Sequence, residues 1–247
     1  MMTCECPHCH GPLDERDMNP RDMFYFCPGC LSIVFREDAI ILNQRMEQLK
    51  VERRDLFDRY QALKMKVTSE RRSSFLQFCE WAETHTDYIG GPASYKYHLS
   101  VPYGLLEHSL NVAENAIKIK NILMPEISDE SCVICGLFHD FGKAGHPGRP
   151  KYIKNEPTPR QKQYGYGPST PYKYTDDEGV RLTVPQAAVF YVTKHIDLTL
   201  EEYQAILIHD GQYVDDNQDY AGKEEPLSLI LQYADNWSGF VVEKDIF

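Results

Sequence analysis

The sequence has no long hydrophobic run. No stretch approaches the roughly 20 apolar residues that a membrane-spanning helix needs. The N-terminal residues also lack the charged and apolar regions of a signal peptide. We therefore expect a protein without a membrane partner, for which a cytoplasmic location is the simplest interpretation.

Positive charge is also scarce, because 26 Lys and Arg residues stand against 37 Asp and Glu residues, for a net charge of −11. This balance argues against a protein that passively coats nucleic acid or an anionic membrane. One segment departs from it, since residues 143–173 contain a single acidic side chain, Glu156. The basic residues of that segment are Lys143, Arg149, Lys151, Lys154, Arg160, Lys162 and Lys173.

The cysteines are distributed unevenly, with five of the eight in the first 30 residues. Cys6 and Cys9 form one CxxC pair, and Cys27 and Cys30 form another. Two such turns can direct four thiolates at one zinc ion, so the pattern fits metal better than disulfides. We predict a zinc ribbon over residues 1–36 with a structural role for the zinc. Its partner is a nucleic acid, a protein or a neighbouring part of the chain.

Residues 37–70 contain no Gly or Pro and predict one long helix over residues 38–67. Its apolar residues follow alternating steps of four and three, with Arg53 as a charged interruption. The seam consists of Leu42, Met46, Leu49, Leu56, Tyr60, Leu63 and Val67. This pattern favours a coiled coil that forms a homodimer. The alternative is an amphipathic helix that packs on its own domain.

Helical patterns dominate from Ser69 onward, and strand signals are sparse, so the predicted fold class is mainly α. The predicted helices cover residues 74–84, 105–120, 129–139, 185–194, 200–209 and 226–240. Thr199 and Glu202 form a capping box at the start of one of them. Between Gly142 and Val184 we expect a structureless loop of about 40 residues. Loops of this length inside a domain are uncommon and usually have a function.

The clearest chemical signal is the adjacent pair His139 and Asp140, which follows the apolar residues 132–138. Those residues predict a buried helix, and a buried carboxylate without a partner costs several kcal/mol. A divalent cation removes this cost, because imidazole nitrogen and carboxylate oxygen both suit such an ion. The pair therefore indicates a metal-dependent hydrolase.

Four motifs in order extend this signal: His108 within residues 104–110, the pair within 138–143, residues 208–213, and Asp235 within 233–235. Together they resemble the HD superfamily of metal-dependent phosphohydrolases over roughly residues 95–240. The resemblance is to phage-type and bacterial members. It implies an HD domain over residues 71–247, built as a helical bundle behind the zinc ribbon and the long helix.

The resemblance also implies the metal ligands, which are His108, His139, Asp140 and Asp235. These residues would hold Mn, Mg, Ni, Co or Fe. His209 is a further candidate ligand, because members with two metals carry an extra histidine near this position. Another histidine of such members is absent, since Val184, Pro185 and Gln186 stand in its place. Whether one or two metals bind is therefore left open.

The implied reaction is hydrolysis of a phosphoester bond in a nucleotide-like substrate by metal-activated water. The chain would then be a nucleotidase, a nucleotide phosphohydrolase or a phosphodiesterase. Asp140, His209 and Lys143 are the candidate catalytic residues, with Lys143 as a point charge on a phosphate. The candidate substrate contacts are His98, Lys151, Lys154, Arg160, Lys162, Tyr164 and Asp210. The basic, tyrosine-rich loop is either a lid that binds the substrate's phosphates or a solvent-exposed loop without a role in binding.

Two other functions compete with this one. A 3′→5′ exonuclease or phosphodiesterase on short RNA or DNA would use the ribbon to guide its substrate, but the net charge weakens that hypothesis. Residues 105–109 are similar to bacterial HD-domain exoribonucleases, some of which also carry a histidine at the position of His98. A non-catalytic binding module stabilised by metal is the third possibility, and the complete ligand set argues against it.

Overall fold

The structure is a computed structural model that describes residues 44–176 and 179–244 in full, together with the backbone of the strands and of the helix start between residues 4 and 43. The chain divides into two compact units, Met1–His85 and Thr86–Phe247. The described residues are mainly helical, which confirms the predicted fold class. No helix among them is long and apolar enough to cross a membrane.

The first unit begins with five short strands. Two of them form an antiparallel pair and the other three an antiparallel sheet in chain order. These are β1 (Cys4–Glu5), β2 (Pro12–Leu13), β3 (Met18–Asn19), β4 (Phe24–Phe26) and β5 (Ile33–Phe35). The predicted zinc ligands Cys6, Cys9, Cys27 and Cys30 lie outside the described residues, so the zinc ribbon stays a prediction.

The predicted long helix is broken at Arg53, so a single helix over residues 38–67 is wrong. α1 (Arg36–Glu52) ends there and α2 (Arg54–Lys64) begins, because the Arg53 backbone leaves the helical region with φ −138° and ψ 64°. The Arg53 guanidinium lies 3.0 Å from the carboxylate of Asp55 in the first turn of α2. A third helix, α3 (Arg72–His85), completes this unit.

The apolar seam over residues 49–67 is buried inside the first unit. Its members Leu49, Leu56, Tyr60, Leu63 and Val67 are at most 3% exposed within the single chain. Beside them Lys64 of α2 and Glu83 of α3 form a buried ion pair at 3.1 Å. Because this stretch is already packed within its own unit, the amphipathic alternative describes it, and the homodimer stays a prediction.

The second unit contains six helices in its described part. Five of them begin and end within three residues of the predicted limits, and the capping box of Thr199 and Glu202 is confirmed. The helices are α4 (Gly104–Leu123), α5 (Asp129–Phe138), α6 (Pro159–Tyr164), α7 (Val184–Val192), α8 (Leu200–Leu207) and α9 (Pro226–Trp237). α4 packs on α5 and α9, while α8 packs on α5, α7 and α9.

The contact between α4 and α5 is close because of one glycine. A Cβ atom on Gly136 of α5 would lie 2.4 Å from the Cα atom of Ala113 on α4. No side chain fits there, so the pair Gly136 and Ala113 lets the two helix backbones approach each other. This approach places His108 of α4 beside His139, which follows α5, with ring centroids 5.3 Å apart.

The segment between Gly142 and Val184 has regular structure, so the expected structureless loop is wrong. It begins with a 3-10 turn (Phe141–Ala144) and continues as an antiparallel hairpin of β6 (Tyr152–Lys154) and β7 (Tyr172–Tyr174). The short helix α6 lies between the two strands, with a capping box formed by Thr158 and Gln161. Several backbone N–H groups of the segment find acceptors within it, such as Asn155 with Pro171 and Thr175 with Lys151.

Candidate metal centre

Four helices bring five ionisable side chains to one point in the second unit. His108 lies on α4, His139 and Asp140 follow the end of α5, His209 lies just beyond α8, and Asp235 lies on α9. Groups drawn from these five residues have ligand atoms within 4.8 Å of one another. The three imidazoles and Asp140 are at most 3% exposed, so the cluster lies inside the helical core.

Hydrogen bonds fix how His139 and His209 face this cluster. The Nδ1 atom of His139 lies 2.9 Å from the carbonyl oxygen of Gly136, and that of His209 lies 2.8 Å from the carbonyl oxygen of Ile206. A carbonyl oxygen only accepts, so Nδ1 carries the proton in each ring. In the neutral ring, Nε2 then presents a lone pair, the form of imidazole that binds a metal.

The Nε2 atoms meet two carboxylates. Nε2 of His108 lies 3.1 Å from Asp235 and 3.4 Å from Asp140. Nε2 of His139 lies 3.6 Å from Asp140 and 3.8 Å from Asp235. Nε2 of His209 lies 3.5 Å from the other carboxylate oxygen of Asp140. Ligands that share one ion at bond lengths of about 2.0–2.2 Å stand at comparable separations.

Two of these Nε2 atoms lack a hydrogen-bond partner. The Nε2 atoms of His108 and His139 are buried and have no hydrogen-bond partner. A buried polar atom without a partner costs about 1–3 kcal/mol. A divalent cation shared with Asp140 and Asp235 would satisfy both atoms, and mixed imidazole and carboxylate donors suit such an ion. The residues present therefore fit a metal.

The charge balance keeps the carboxylates ionised. Burial raises the pKa of Asp140, but the positive charge of Lys143, whose ammonium contacts this carboxylate directly, holds it well below its usual range. Burial also raises the pKa of Asp235, and contact with the His108 imidazole outweighs it and lowers the pKa well below the usual value. Both groups are therefore anionic at neutral pH.

Protons and metal compete for the third imidazole. Burial lowers the pKa of His209, but the carboxylate of Asp140 outweighs burial and raises it to about 9. A metal ligand must give up its proton at the coordinating nitrogen. Metal binding through His209 therefore releases a proton at neutral pH.

A glycine allows the turn that carries Asp140 to pack against α7. A Cβ atom on Gly142 would lie 2.4 Å from the carbonyl oxygen of Val184 and 3.0 Å from the Cβ atom of Ala187. The turn would have to move away to accept a side chain. Gly142 thus keeps Asp140 and Lys143 at the position where they meet the histidines.

Three of the predicted substrate or catalytic residues lie beside the cluster. The Lys143 ammonium contacts Asp140, and a carboxylate oxygen of Asp210 lies 3.6 Å from Nε2 of His209. The ring of His98 lies 5.0 Å from that of His108, measured between centroids. These contacts place Lys143, Asp210 and His98 where a bound substrate could reach them.

The predicted contacts of the hairpin lie apart from this group. Lys154 follows the first two residues of β6, and Arg160, Lys162 and Tyr164 lie on α6, all exposed. Lys151, directly before β6, lines a small cavity with Gly142 and His146. Within the described residues, no ion pair joins Lys154, Arg160 or Lys162 to the cluster.

One buried residue of the site was not predicted from the sequence. Glu243, beyond α9, is 0% exposed, and both of its carboxylate oxygens lie 3.1 Å from Nδ1 of His108. It belongs to none of the four motifs, and it follows Phe240, Val241 and Val242 without a pattern that marks it. Only the packing of the chain after α9 reveals it.

A buried centre of three imidazoles and two carboxylates within a helical bundle defines a candidate divalent-metal site. Residues 105–238, more than half of the 247 residues, match the family model of the HD domain. The chain therefore belongs to the HD-domain family. HD domains bind divalent metals, and membership supports metal-dependent phosphohydrolase activity in general. No curated protein and no solved structure matches the chain.

Proposed function

We propose that the chain hydrolyses a phosphoester bond of a small nucleotide-like substrate with a divalent cation held by His108, His139, Asp140 and Asp235. The observation that carries the proposal is the pair of buried, unpartnered Nε2 atoms of His108 and His139, which face two ionised carboxylates. His209 is the fifth proposed ligand, because its Nε2 atom lies near one Asp140 carboxylate oxygen while that of His108 lies near the other.

The ion supplies the central chemistry of the proposal, since a bound divalent cation lowers the pKa of water and neutralises charge that develops on phosphorus. Lys143 adds a second positive charge at the same place. Asp140 holds its ammonium at the cluster and raises its pKa against the effect of burial, so the side chain stays charged. We assign Lys143 to a phosphoryl oxygen of the substrate, for which a compact ammonium is suited.

The rest of the substrate has a pocket beside the cluster. This pocket has a volume of about 460 Å³, and Asp210 lines it together with Thr183, Gln186, Asp216, Asn217 and Tyr220. Asp210 also contacts His209, so the pocket borders the proposed metal ligands. Carboxylates repel phosphate but accept hydrogen bonds from hydroxyl and amino groups. We therefore place the phosphate at the cation and the sugar or base in this pocket.

This division of the site favours a small nucleotide over a long nucleic acid. A polyanionic chain entering past Asp210 and Asp216 would meet like charge, and the chain as a whole carries −11. A nucleotide monoester or triphosphate needs to bring its phosphates only to the cation and Lys143. The substrate class that we propose is therefore a nucleotide.

A second candidate is a 3′→5′ exonuclease or phosphodiesterase on short RNA or DNA. The hairpin favours it, because basic side chains alternate there with aromatic rings such as Tyr164 and Tyr166, which stack at 6.3 Å between centroids. Such surfaces bind single strands through phosphate contacts and base stacking. The predicted zinc ribbon would be a second module able to bind a nucleic-acid partner.

The test is a turnover screen on the purified full chain. Nucleoside mono- and triphosphates, cyclic nucleotides, a generic phosphodiester and short oligonucleotides are each incubated with Mn²⁺, Mg²⁺, Co²⁺ or Ni²⁺. We expect metal-dependent release of phosphate or nucleoside from a nucleotide. Loss of a ligand worth several kcal/mol to the transition state should lower this rate by roughly 100-fold or more in Asp140→Asn.

The matched control is Asp58→Asn, which makes the same chemical change at an exposed carboxylate of α2 and should leave the rate unchanged. Turnover of oligonucleotides alone would replace the nucleotide proposal by the exonuclease candidate. A folded chain that binds metal but turns over no substrate in any arm would support the non-catalytic binding module instead.

A further inference from the structure

Glu243 is buried against the metal cluster although it lies beyond residue 238, where the HD-domain match ends. Both of its carboxylate oxygens lie 3.1 Å from Nδ1 of His108. The amide of Asn111, one turn further along α4, donates to the same carboxylate at 2.8 Å. Burying a carboxylate is costly, and here the histidine and the amide satisfy it.

The backbone around Glu243 is tied to α4 by a second set of bonds. Its N–H group donates to the carbonyl oxygen of Ser238 at 2.9 Å. The amide of Asn115 donates to the hydroxyl of Ser238 at 3.0 Å, and that hydroxyl donates to the carbonyl oxygen of Ala234. Residues 238–242 form a π-helical turn between these contacts. The turn is thereby held in the position that delivers Glu243 to His108.

His108 needs such a partner because of where it lies in its helix. His139 and His209 follow the ends of α5 and α8, where a carbonyl oxygen three residues earlier can accept from Nδ1. His108 lies within the 20-residue helix α4, where the preceding carbonyls already accept from backbone N–H groups of the helix. The acceptor that faces its Nδ1 atom comes from another part of the chain, the carboxylate of Glu243.

We propose that Glu243 is a positioning residue for the metal centre. Its carboxylate accepts the Nδ1 proton of His108 and so fixes the tautomer and the ring orientation in which Nε2 binds the cation. The inference rests on the proposed function, because it assumes that His108 is a ligand. It adds that the segment after α9 completes the centre, although no motif extends there.

A competing arrangement would place a second cation among His98, His108 and Glu243, whose ligand atoms also lie close together. A neutral imidazole has one proton and one lone pair. If Nε2 of His108 binds the cation shared with Asp140, its Nδ1 carries the proton and is not a ligand. Nδ1 therefore donates to Glu243.

The experiment compares Glu243→Ala, Glu243→Gln and the matched control Glu126→Gln, an exposed glutamate, in the full chain freed of metal. Co²⁺ is titrated in and followed by its visible spectrum, with metal counted at saturation. Circular dichroism and the melting temperature of the metal-free proteins report folding. Turnover is not needed as a readout.

We expect Glu243→Ala to weaken Co²⁺ binding by about 10–100-fold, the usual effect of losing such a partner, with an unchanged metal count at saturation. Glu243→Gln keeps one carbonyl oxygen as an acceptor and should recover part of the affinity. The control should match the parent. If Glu243→Ala does not fold, the loss of affinity in folded Glu243→Gln relative to Glu126→Gln carries the test.

Three results would overturn the inference. An unchanged Co²⁺ affinity with a lower melting temperature of the metal-free variant would show a structural role only. A lower metal count would show that Glu243 is itself a ligand. A parent that binds no Co²⁺ beyond an ion held by cysteine thiolates would remove the proposed function together with this inference, whereas the first two results would leave that function standing.

Discussion

His139 and His209 are presented to the metal cluster in the same way. Each follows the end of its helix and donates from Nδ1 to the carbonyl oxygen three residues earlier, at 2.9 Å and 2.8 Å respectively. Their rings stand 4.8 Å apart at an angle of 83°. Each is followed in sequence by an aspartate. Two helix ends thus orient two proposed ligands without a further side chain, whereas the third imidazole, His108, meets the carboxylate of Glu243.

Metal removal should destabilise the protein through the second unit. A ligand that binds only the folded state at 100 times its dissociation constant adds about 2.7 kcal/mol. We expect added Mn²⁺ to raise the melting temperature of chelator-treated protein. The His139→Ala variant should lose this rise, which separates the cluster from any zinc bound near the N-terminus. An equal rise in both proteins would place the bound ion elsewhere.

Lys143 should matter for turnover and not for metal content. Lys143→Met removes a positive charge from the cluster, and loss of one such electrostatic contact costs about 100–1,000-fold in kcat. Lys223→Met is the control, since Lys223 is exposed and donates to the backbone carbonyl oxygen of Asp219, four residues earlier. Steady-state kinetics and metal analysis of both variants check the prediction. A Lys143→Met enzyme with the parent kcat would exclude a role in the reaction.

The basic side chains of the hairpin should attract an anionic substrate towards the site and so lower its KM. Replacing Lys151, Lys154, Arg160 and Lys162 together by Gln should raise KM roughly tenfold or more, because a field of like charges concentrates an anionic substrate. Salt should raise the KM of the parent in the same direction. The metal content should stay constant. A quadruple variant with unchanged KM would show that the hairpin is solvent-exposed and has no role in substrate binding.

The buried pair in the first unit should be essential for its stability. Lys64 and Glu83 are at most 2% exposed, and Glu83→Gln leaves the ammonium without its counter-charge at a cost of about 3–5 kcal/mol. The double variant Lys64→Met with Glu83→Leu should recover most of this loss. Urea unfolding, followed by tryptophan fluorescence, gives the free energy of unfolding of each variant. Because the sequence has two tryptophans, the variants are made in a Trp237→Phe background, so that the signal comes from Trp81 of α3. Equal stabilities would contradict the prediction.

The ion pair of Lys64 and Glu83 should stabilise the fold over a defined pH range. Burial lowers the pKa of Lys64, but the Glu83 carboxylate outweighs burial and raises it above 10.5. A raised pKa stabilises the fold below the unfolded value, and that contribution is lost only as pH rises through the folded value. The contribution of Lys64 should therefore stay constant from pH 7 to about 10 and fall at higher pH. An earlier fall in urea unfolding would contradict this assignment.

The sequence predicted the members of the cluster because each lies in a recognisable motif at a helix end or on a helix face. It could not predict the break at Arg53, since the steps of four and three continue through that residue without a change. The hairpin was missed because its strands have only three residues each. Glu243 was missed because its role comes from tertiary packing, which a local pattern does not encode.

The most direct measurement is the number of Mn²⁺ ions bound per chain, determined by electron paramagnetic resonance. Mn²⁺ suits the carboxylate and imidazole ligands of the cluster and not the thiolates of the predicted ribbon. We predict that the parent binds at least one Mn²⁺. The double variant His139→Ala with Asp140→Ala, folded by circular dichroism, should bind none. An unchanged count in that folded variant would contradict the metal centre and the hydrolase built on it.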